Sequence, residues 1–82
     1  MTFGEAIEAL KEGRRIARSG WNGKGMYLFL ICPDEGDIAL NASMCDANLP
    51  IRRFIMMKTA QNDLVPWLAS QADVLADDWV RV

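Results

Sequence analysis

The stretch Met26-Tyr27-Leu28-Phe29-Leu30-Ile31-Cys32 (residues 26–32) decides the fold class. As a strand it places Leu28 and Leu30 on one face and Tyr27 and Phe29 on the other, so both faces are apolar. Such a strand has to be covered on both sides. We expect a helix to cover one face and a second subunit to cover the other.

The residues before this strand predict the covering helix. Thr2 and Glu5 have the spacing of a capping box. One apolar helix face follows with i, i+3, i+4, i+7 spacing: Phe3, Ala6, Ile7 and Leu10. Gly13 is suited to end the helix, which is short and persists only if it docks on the sheet.

The rest of the chain alternates short apolar runs with turn residues. It predicts strands near residues 15–18, 53–59, 64–65 and 78–82, with turns at 33–37 and 61–63. Ser70 and Asp73 have capping-box spacing for a short C-terminal helix. The predicted fold class is α+β: an N-terminal helix packed on an antiparallel β-sheet, with a short C-terminal helix. Residues 38–53 carry no motif that assigns them a role.

Length and composition predict a single domain, residues 1–82, that self-associates. A chain of 82 residues buries only ~60–65% of its unfolded surface. Yet 51% of its residues are hydrophobic. We expect the excess to be buried between subunits of a homo-oligomer.

The net charge argues against binding to duplex nucleic acid. The formal net charge is -2, which disfavours duplex nucleic acid as a partner because that binding depends on neutralising phosphates. Basic residues nevertheless cluster early and acidic residues late: Lys11, Arg14, Arg15, Arg18 and Lys24, against Asp63, Asp73, Asp77 and Asp78. These are either two solvated faces or complementary patches that meet between subunits or face a phosphate.

Cysteine and histidine usage argues against metal sites. Cys32 and Cys45 form neither a disulfide framework nor a zinc pattern, and Cys32 is expected to be a buried small hydrophobe. The sequence has no histidine, so we predict no metal and no cofactor. We see no signal peptide and no apolar run of membrane-spanning length, and predict the cytoplasm of a bacterial host.

Catalysis has little support. Without histidine the commonest general base is missing, and no nucleophile motif or phosphate-binding glycine loop is present. Asp73 and Asp77, at i and i+4, would share a helix face and form a carboxylate pair in a small hydrolase. The alternative is that Asp73 caps the helix and Asp77 is solvated, and we predict no catalytic residue.

Two tryptophans set among small and polar residues favour a binding function. Trp21 lies in Ser19-Gly20-Trp21-Asn22-Gly23-Lys24-Gly25, and Trp67 precedes Leu68-Ala69-Ser70-Gln71-Ala72-Asp73. A flat ring beside amides and hydroxyls is suited to stacking on a nucleobase. Either ring could instead fold back onto the sheet or pack under the short helix. Trp79 is expected in the core or an interface.

Polar candidates lie near these rings. Lys58 and Thr59 end a strand, where an ammonium and a hydroxyl can hold phosphate. Ser70, Gln71 and Asp73 can read a base edge or ribose hydroxyls, or simply cap the helix.

Four blocks of the chain resemble the Thoeris anti-defence 2 family: residues 2–6, 20–28, 57–60 and 65–79. The resemblance implies a non-catalytic protein that binds and sequesters cyclic ADP-ribose-like immune signals, and also cyclic oligonucleotides in some members. It implies homotetramers with pockets at subunit contacts.

Carried over by motif position, the ligand-binding residues would be Phe3, Trp21, Asn22, Lys58, Thr59, Trp67, Ser70, Gln71 and Asp73. A nucleotide-signal hydrolase and a protein-interaction module are the alternatives.

Overall fold

The computed structural model describes residues 1–37 and 49–82, which form two helices and one sheet. In chain order the elements are α1 (Phe3–Lys11), β1 (Ile16–Arg18), β2 (Tyr27–Ile31), a 3-10 turn (Pro33–Glu35), β3 (Phe54–Lys58), β4 (Leu64–Pro66), α2 (Gln71–Leu75) and β5 (Trp79–Arg81). The five strands form an antiparallel sheet with the order β4-β3-β2-β1-β5. The predicted α+β class is confirmed.

Helix α1 begins and ends as its sequence predicts. The Glu5 amide donates to the Thr2 hydroxyl at 3.2 Å, and the Thr2 amide donates to the Glu5 carboxylate at 2.9 Å, which completes the capping box. After the helix, Gly13 has φ +83°, a conformation that glycine adopts without a steric penalty. Local chemistry therefore sets both ends of this helix.

The helix packs on one face of the sheet and forms the core there. Strand pairing places Ile16 opposite Leu28, and Leu28 opposite Met57, so these side chains share that face. Leu10 of α1 is buried among Ile16, Leu28 and Trp79. One of the two covers predicted for β2 is thus confirmed as α1.

The opposite face of the sheet has a different environment. Tyr27 and Phe29 point there and are half-buried, with the Arg15 guanidinium 4.5 Å from the centre of the Tyr27 ring. The described helices lie elsewhere: α1 packs on the other face, and α2 packs beside α1 and bonds to Trp79. Cover by a second subunit stays a prediction.

The predicted turns are also confirmed. The Thr59 amide donates to the Asp63 carbonyl at 2.9 Å and Asn62 has φ +64°, which closes the hairpin between β3 and β4. Cys32 is buried, as expected. Cys45 and residues 38–48 lie outside the described residues.

We expect Leu28→Ala to lower the free energy of unfolding by about 2–5 kcal/mol, because Leu28 is fully buried and its truncation leaves a cavity. Urea denaturation at one fixed protein concentration measures the change. Glu8→Ala is the control, since the Glu8 side chain is 69% exposed and its loss should change stability by less than about 0.5 kcal/mol. Equal losses in both variants would contradict the assignment of the core.

Candidate ligand-binding site

Trp79 is the centre of a cluster of four aromatic rings. It is fully buried, and its indole N–H donates to the Asp73 carbonyl at 3.0 Å. The ring centres of Phe3 and Trp21 each lie 5.6 Å from that of Trp79, and the Trp67 centre lies at 6.0 Å. The expectation that Trp79 is a core or interface residue is confirmed as core, and this core residue supports the rings predicted to bind ligand.

Trp21 folds back onto Trp79 while part of its ring stays at the surface. The two ring planes meet at 80°, an edge-to-face contact that aromatic pairs favour. The side chain is half-buried. The two alternatives for this ring are therefore combined: it packs on the core and remains partly accessible.

Trp67 is held in a similar way from the other end of the chain. Its amide donates to the Ile55 carbonyl at 2.9 Å, which continues the pairing of β4 with β3 past Pro66. Its ring meets Trp79 at 86° and lies 6.3 Å from Phe3. Like Trp21 it is half-buried. The fold thus brings two indoles, 46 residues apart in sequence, onto one buried ring.

The turn that carries Trp21 is fixed where it begins. The Asp78 carboxylate accepts the Gly20 amide at 3.0 Å and the Arg18 Nε at 2.9 Å. The Ser19 amide also donates to the Asp78 carbonyl at 3.0 Å. Asp78, the residue before β5, therefore anchors the start of the turn.

The far end of the turn is fixed by packing and by Lys58. At Gly23, a Cβ would lie 2.4 Å from the Met26 sulfur and 2.9 Å from the Ala60 Cβ, so a side chain fits there only if Met26 and Ala60 shift. The Lys58 ammonium donates to the Gly25 carbonyl at 3.0 Å. Lys58 thus touches the Trp21 turn at Gly25, but its pairing opposite Tyr27, with its ammonium 6.0 Å from that ring, places it on the sheet face opposite Trp79.

Some of the predicted polar side chains are hydrogen-bonded within the chain, and others are exposed to solvent. Thr59 bonds to the Asp63 side chain and accepts the Gln61 amide, so it shapes the hairpin. Asn22 and Gln71 are exposed. Their amides are available at the surface of the described chain.

Ser70 and Asp73 form the predicted capping box of α2. The Asp73 amide donates to the Ser70 hydroxyl at 3.1 Å, and the Asp73 carboxylate accepts the Ser70 amide at 3.0 Å. The same carboxylate accepts the Arg18 Nη1 at 3.0 Å. Asp73 is thus occupied within the chain before any ligand is considered.

The proposed carboxylate pair of Asp73 and Asp77 does not form on a helix. Helix α2 ends at Leu75, and Ala76 is extended, so Asp77 lies beyond the helix. The i, i+4 argument was wrong, because the helix is too short for the two residues to share a face. Within residues 1–37 and 49–82, no group of three or more acidic or cysteine side chains could hold a metal ion.

Arg18 and Asp78 are the site residues that sequence reasoning missed. Arg18 belongs to the early basic group and Asp73 and Asp78 to the late acidic group, so part of the two charge patches meets within one chain. No local sequence pattern predicts the pair of Arg18 and Asp78, because the two residues are 60 positions apart. The β1–β5 pairing, which sets Arg18 opposite Trp79, creates it.

A cavity of about 460 Å³ opens away from these rings, between the end of α1, β2 and Arg53. Its walls include Leu10, Arg15 and Tyr27 but neither Trp21 nor Trp67. The two tryptophans therefore lie on the surface of the described chain and do not line this cavity.

The ion pairs of Arg18 predict how stability depends on pH. Hydrogen bonding to Arg18 lowers the pKa of Asp78. Burial raises the pKa of Asp73, but hydrogen bonds from Ser70 and Arg18 outweigh it, and the net pKa is also lowered. Depressed carboxyl pKa values stabilise the fold above the unfolded value of about 3.9, and that stability is lost as pH falls below it.

We therefore expect the free energy of unfolding to fall between about pH 5 and the lowered pKa values of Asp73 and Asp78. Denaturation in urea across pH 7 to 3 measures it. Asp78→Asn should be less stable at pH 7 and lose less stability on acidification, so that the two curves converge at low pH. Parallel curves would show that Asp78 does not contribute to the pH dependence.

Among the described residues no helix is long and apolar enough to cross a membrane.

Comparison with known proteins agrees with the resemblance of the motif blocks. A family model described as the Thoeris anti-defense 2-like domain matches residues 1–82. Thoeris anti-defense 2 of Bacillus phage SP01 is 44% identical over 81 residues, covering 96% of this chain and 91% of the relative. The chain belongs to the Thoeris anti-defense 2-like family.

Proposed function

We propose that this protein inhibits Thoeris defence by binding a cyclic ADP-ribose-type signal and holding it unchanged. The observation that carries the proposal is the pair of half-buried indoles, Trp21 and Trp67, supported on buried Trp79. The descriptions of the family and of its Bacillus phage relative identify Thoeris as the defence system that is inhibited. Sequestration acts by mass action in the host cytoplasm, lowering the free signal below what its receptor needs.

The rings supply a surface suited to purines. Every nucleobase has a flat π face, so stacking on an indole needs no particular hydrogen-bond pattern and contributes ~1–3 kcal/mol per base. Trp21 and Trp67 each keep part of the ring at the surface. Phe3, against both Trp67 and Trp79, extends the aromatic surface. Cyclic oligonucleotides, which also present bases, are a second ligand class for the same chemistry.

Polar groups in the segments around the rings are proposed to orient the ligand. Lys58 would supply a point charge for phosphate and Thr59 a hydroxyl. Exposed Asn22 and Gln71 would bond to base edges or ribose hydroxyls. Ser70 and Asp73 complete the proposed set, beside α2. No metal or cofactor is part of this proposal.

Magnitudes favour a site shared between subunits. Two base stacks contribute ~2–6 kcal/mol, and a charge-assisted bond to phosphate adds ~1.5–3 kcal/mol. Nanomolar capture needs about -12 kcal/mol after association costs. A second protomer, in a homotetramer, would enclose the ligand and supply the difference. The apolar groups that one protomer leaves exposed, including Leu68 at 91%, fit such an assembly.

We expect Trp21→Leu and Trp67→Leu each to weaken binding of cyclic ADP-ribose isomers by about 5- to 150-fold, the equivalent of one lost stack. Leucine keeps an apolar contact with Trp79 but removes the flat ring. Calorimetry measures the affinity. Trp21→Phe and Trp67→Phe are the matched controls, because they retain an aromatic face and should lose less. Unchanged affinity in the correctly assembled double leucine variant would refute stacking.

A second test separates sequestration from catalysis. After incubation, heating the protein–ligand mixture should release the cyclic nucleotide unchanged, with its mass and retention time intact. A linear or hydrolysed product would instead indicate an enzyme. The same nucleotide heated without protein is the control, because any product formed there comes from heating alone.

A further inference from the structure

We infer that Arg18 is a positioning residue that fixes the two tryptophan-bearing segments relative to one another before ligand binds. It does so by holding Asp78 and Asp73 at the same time. This inference rests on the proposed function for its effect on affinity, whereas the structural effect in the free protein does not depend on it.

The Arg18 guanidinium uses two different N–H groups for two different carboxylates. Its Nε donates to Asp78 at 2.9 Å and its Nη1 donates to Asp73 at 3.0 Å. The Arg18 side chain is 24% exposed, and those of Asp73 and Asp78 are 14% and 29% exposed. Solvent therefore screens this network less than it screens fully exposed pairs.

Each carboxylate also contacts a segment that carries or adjoins one of the tryptophans. Asp78 also binds the Gly20 amide, which immediately precedes Trp21. Asp73 caps the helix that follows Trp67, and its carbonyl accepts the indole N–H of Trp79. One guanidinium thus connects the Trp21 turn, the segment after Trp67 and the ring between them.

The rest of the turn is already fixed without Arg18. Lys58 holds the Gly25 carbonyl, and Gly23 packs on Met26 and Ala60. Loss of the network would therefore loosen the start of the turn at Gly20, where only the backbone bonds of Ser19 and Trp21 would remain, while its far end stays anchored. Ordering this segment would then be a cost of binding rather than of folding.

Lysine cannot replace this group. A guanidinium presents several N–H donors in a planar fork, whereas an ammonium is a point charge on a flexible stem. Arg18→Lys keeps the net charge but cannot reach both carboxylates with the same geometry. The charge-conserving variant therefore isolates positioning from the long-range attraction of an anionic ligand.

Two variants test the inference: Arg18→Lys and Asp78→Asn. We expect each to weaken calorimetric affinity for cyclic ADP-ribose by about ten-fold, in line with ordering a few backbone and side-chain groups on binding. Asp78→Asn should do so although it removes a negative charge near an anionic ligand. The double variant should lose little more than either single one, because both changes break the same network.

Arg53→Lys is the matched control. Arg53 makes a comparable pair with Asp34, with its Nη2 2.8 Å from the carboxylate, and contacts none of the predicted site residues through it. The same chemical change there should leave affinity unaltered. Sedimentation should show the wild-type assembly state for every variant compared.

Hydrogen exchange of the Gly20 amide in the ligand-free protein reports positioning directly. Exchange should accelerate in Arg18→Lys and Asp78→Asn but not in Arg53→Lys, while amides in β2 and β3 stay protected. If the wild type fails to bind cyclic ADP-ribose, the proposed function fails, and this measurement still decides the positioning role.

Unchanged Gly20 exchange in both network variants would overturn the inference. So would additive losses of affinity in the double variant, which would indicate that Arg18 contacts the ligand independently of Asp78. Should Asp78→Asn fail to fold, Arg18→Lys with the exchange measurement decides the question alone.

Discussion

The burial of Trp79 is the constraint on which the rest of this structure depends. Its ring is fully buried, and Phe3, Trp21 and Trp67 all pack against it. Its N–H is bonded to the Asp73 carbonyl, so burying the indole leaves no unsatisfied donor. One side chain in the last strand thereby organises the first helix, the turn after β1 and the segment after β4.

Around this ring, charged groups do the positioning and apolar groups supply the energy. Arg18 connects two carboxylates on separate segments, and the Trp21 turn is anchored at its start by Asp78 and at its end by Lys58. This arrangement leaves parts of Trp21 and Trp67 at the surface on a rigid support. A rigid aromatic surface binds with less loss of entropy than a mobile one, which suits a protein proposed to compete with a receptor for its signal.

The described chain also leaves large apolar side chains at its surface. The cavity beside α1 and β2 excludes the tryptophans, and α1 covers only one face of the sheet. Enclosure of a ligand by a second protomer is therefore part of the proposed function. Family membership is established over the whole chain, and the ligand, the assembly and the site residues are the proposed elements.

Local patterns in the sequence by themselves determined α1, its capping box, the Gly13 stop, strand β2 and the cap of α2, because each depends on residues within one or two turns of each other. They also singled out Trp21 and Trp67 through the small and polar residues around them. Only the tertiary structure decided that both rings rest on Trp79 and that Arg18 holds Asp73 and Asp78. Those contacts join residues 55 and 60 positions apart, and the pairing of β1 with β5 that creates them leaves no local signature.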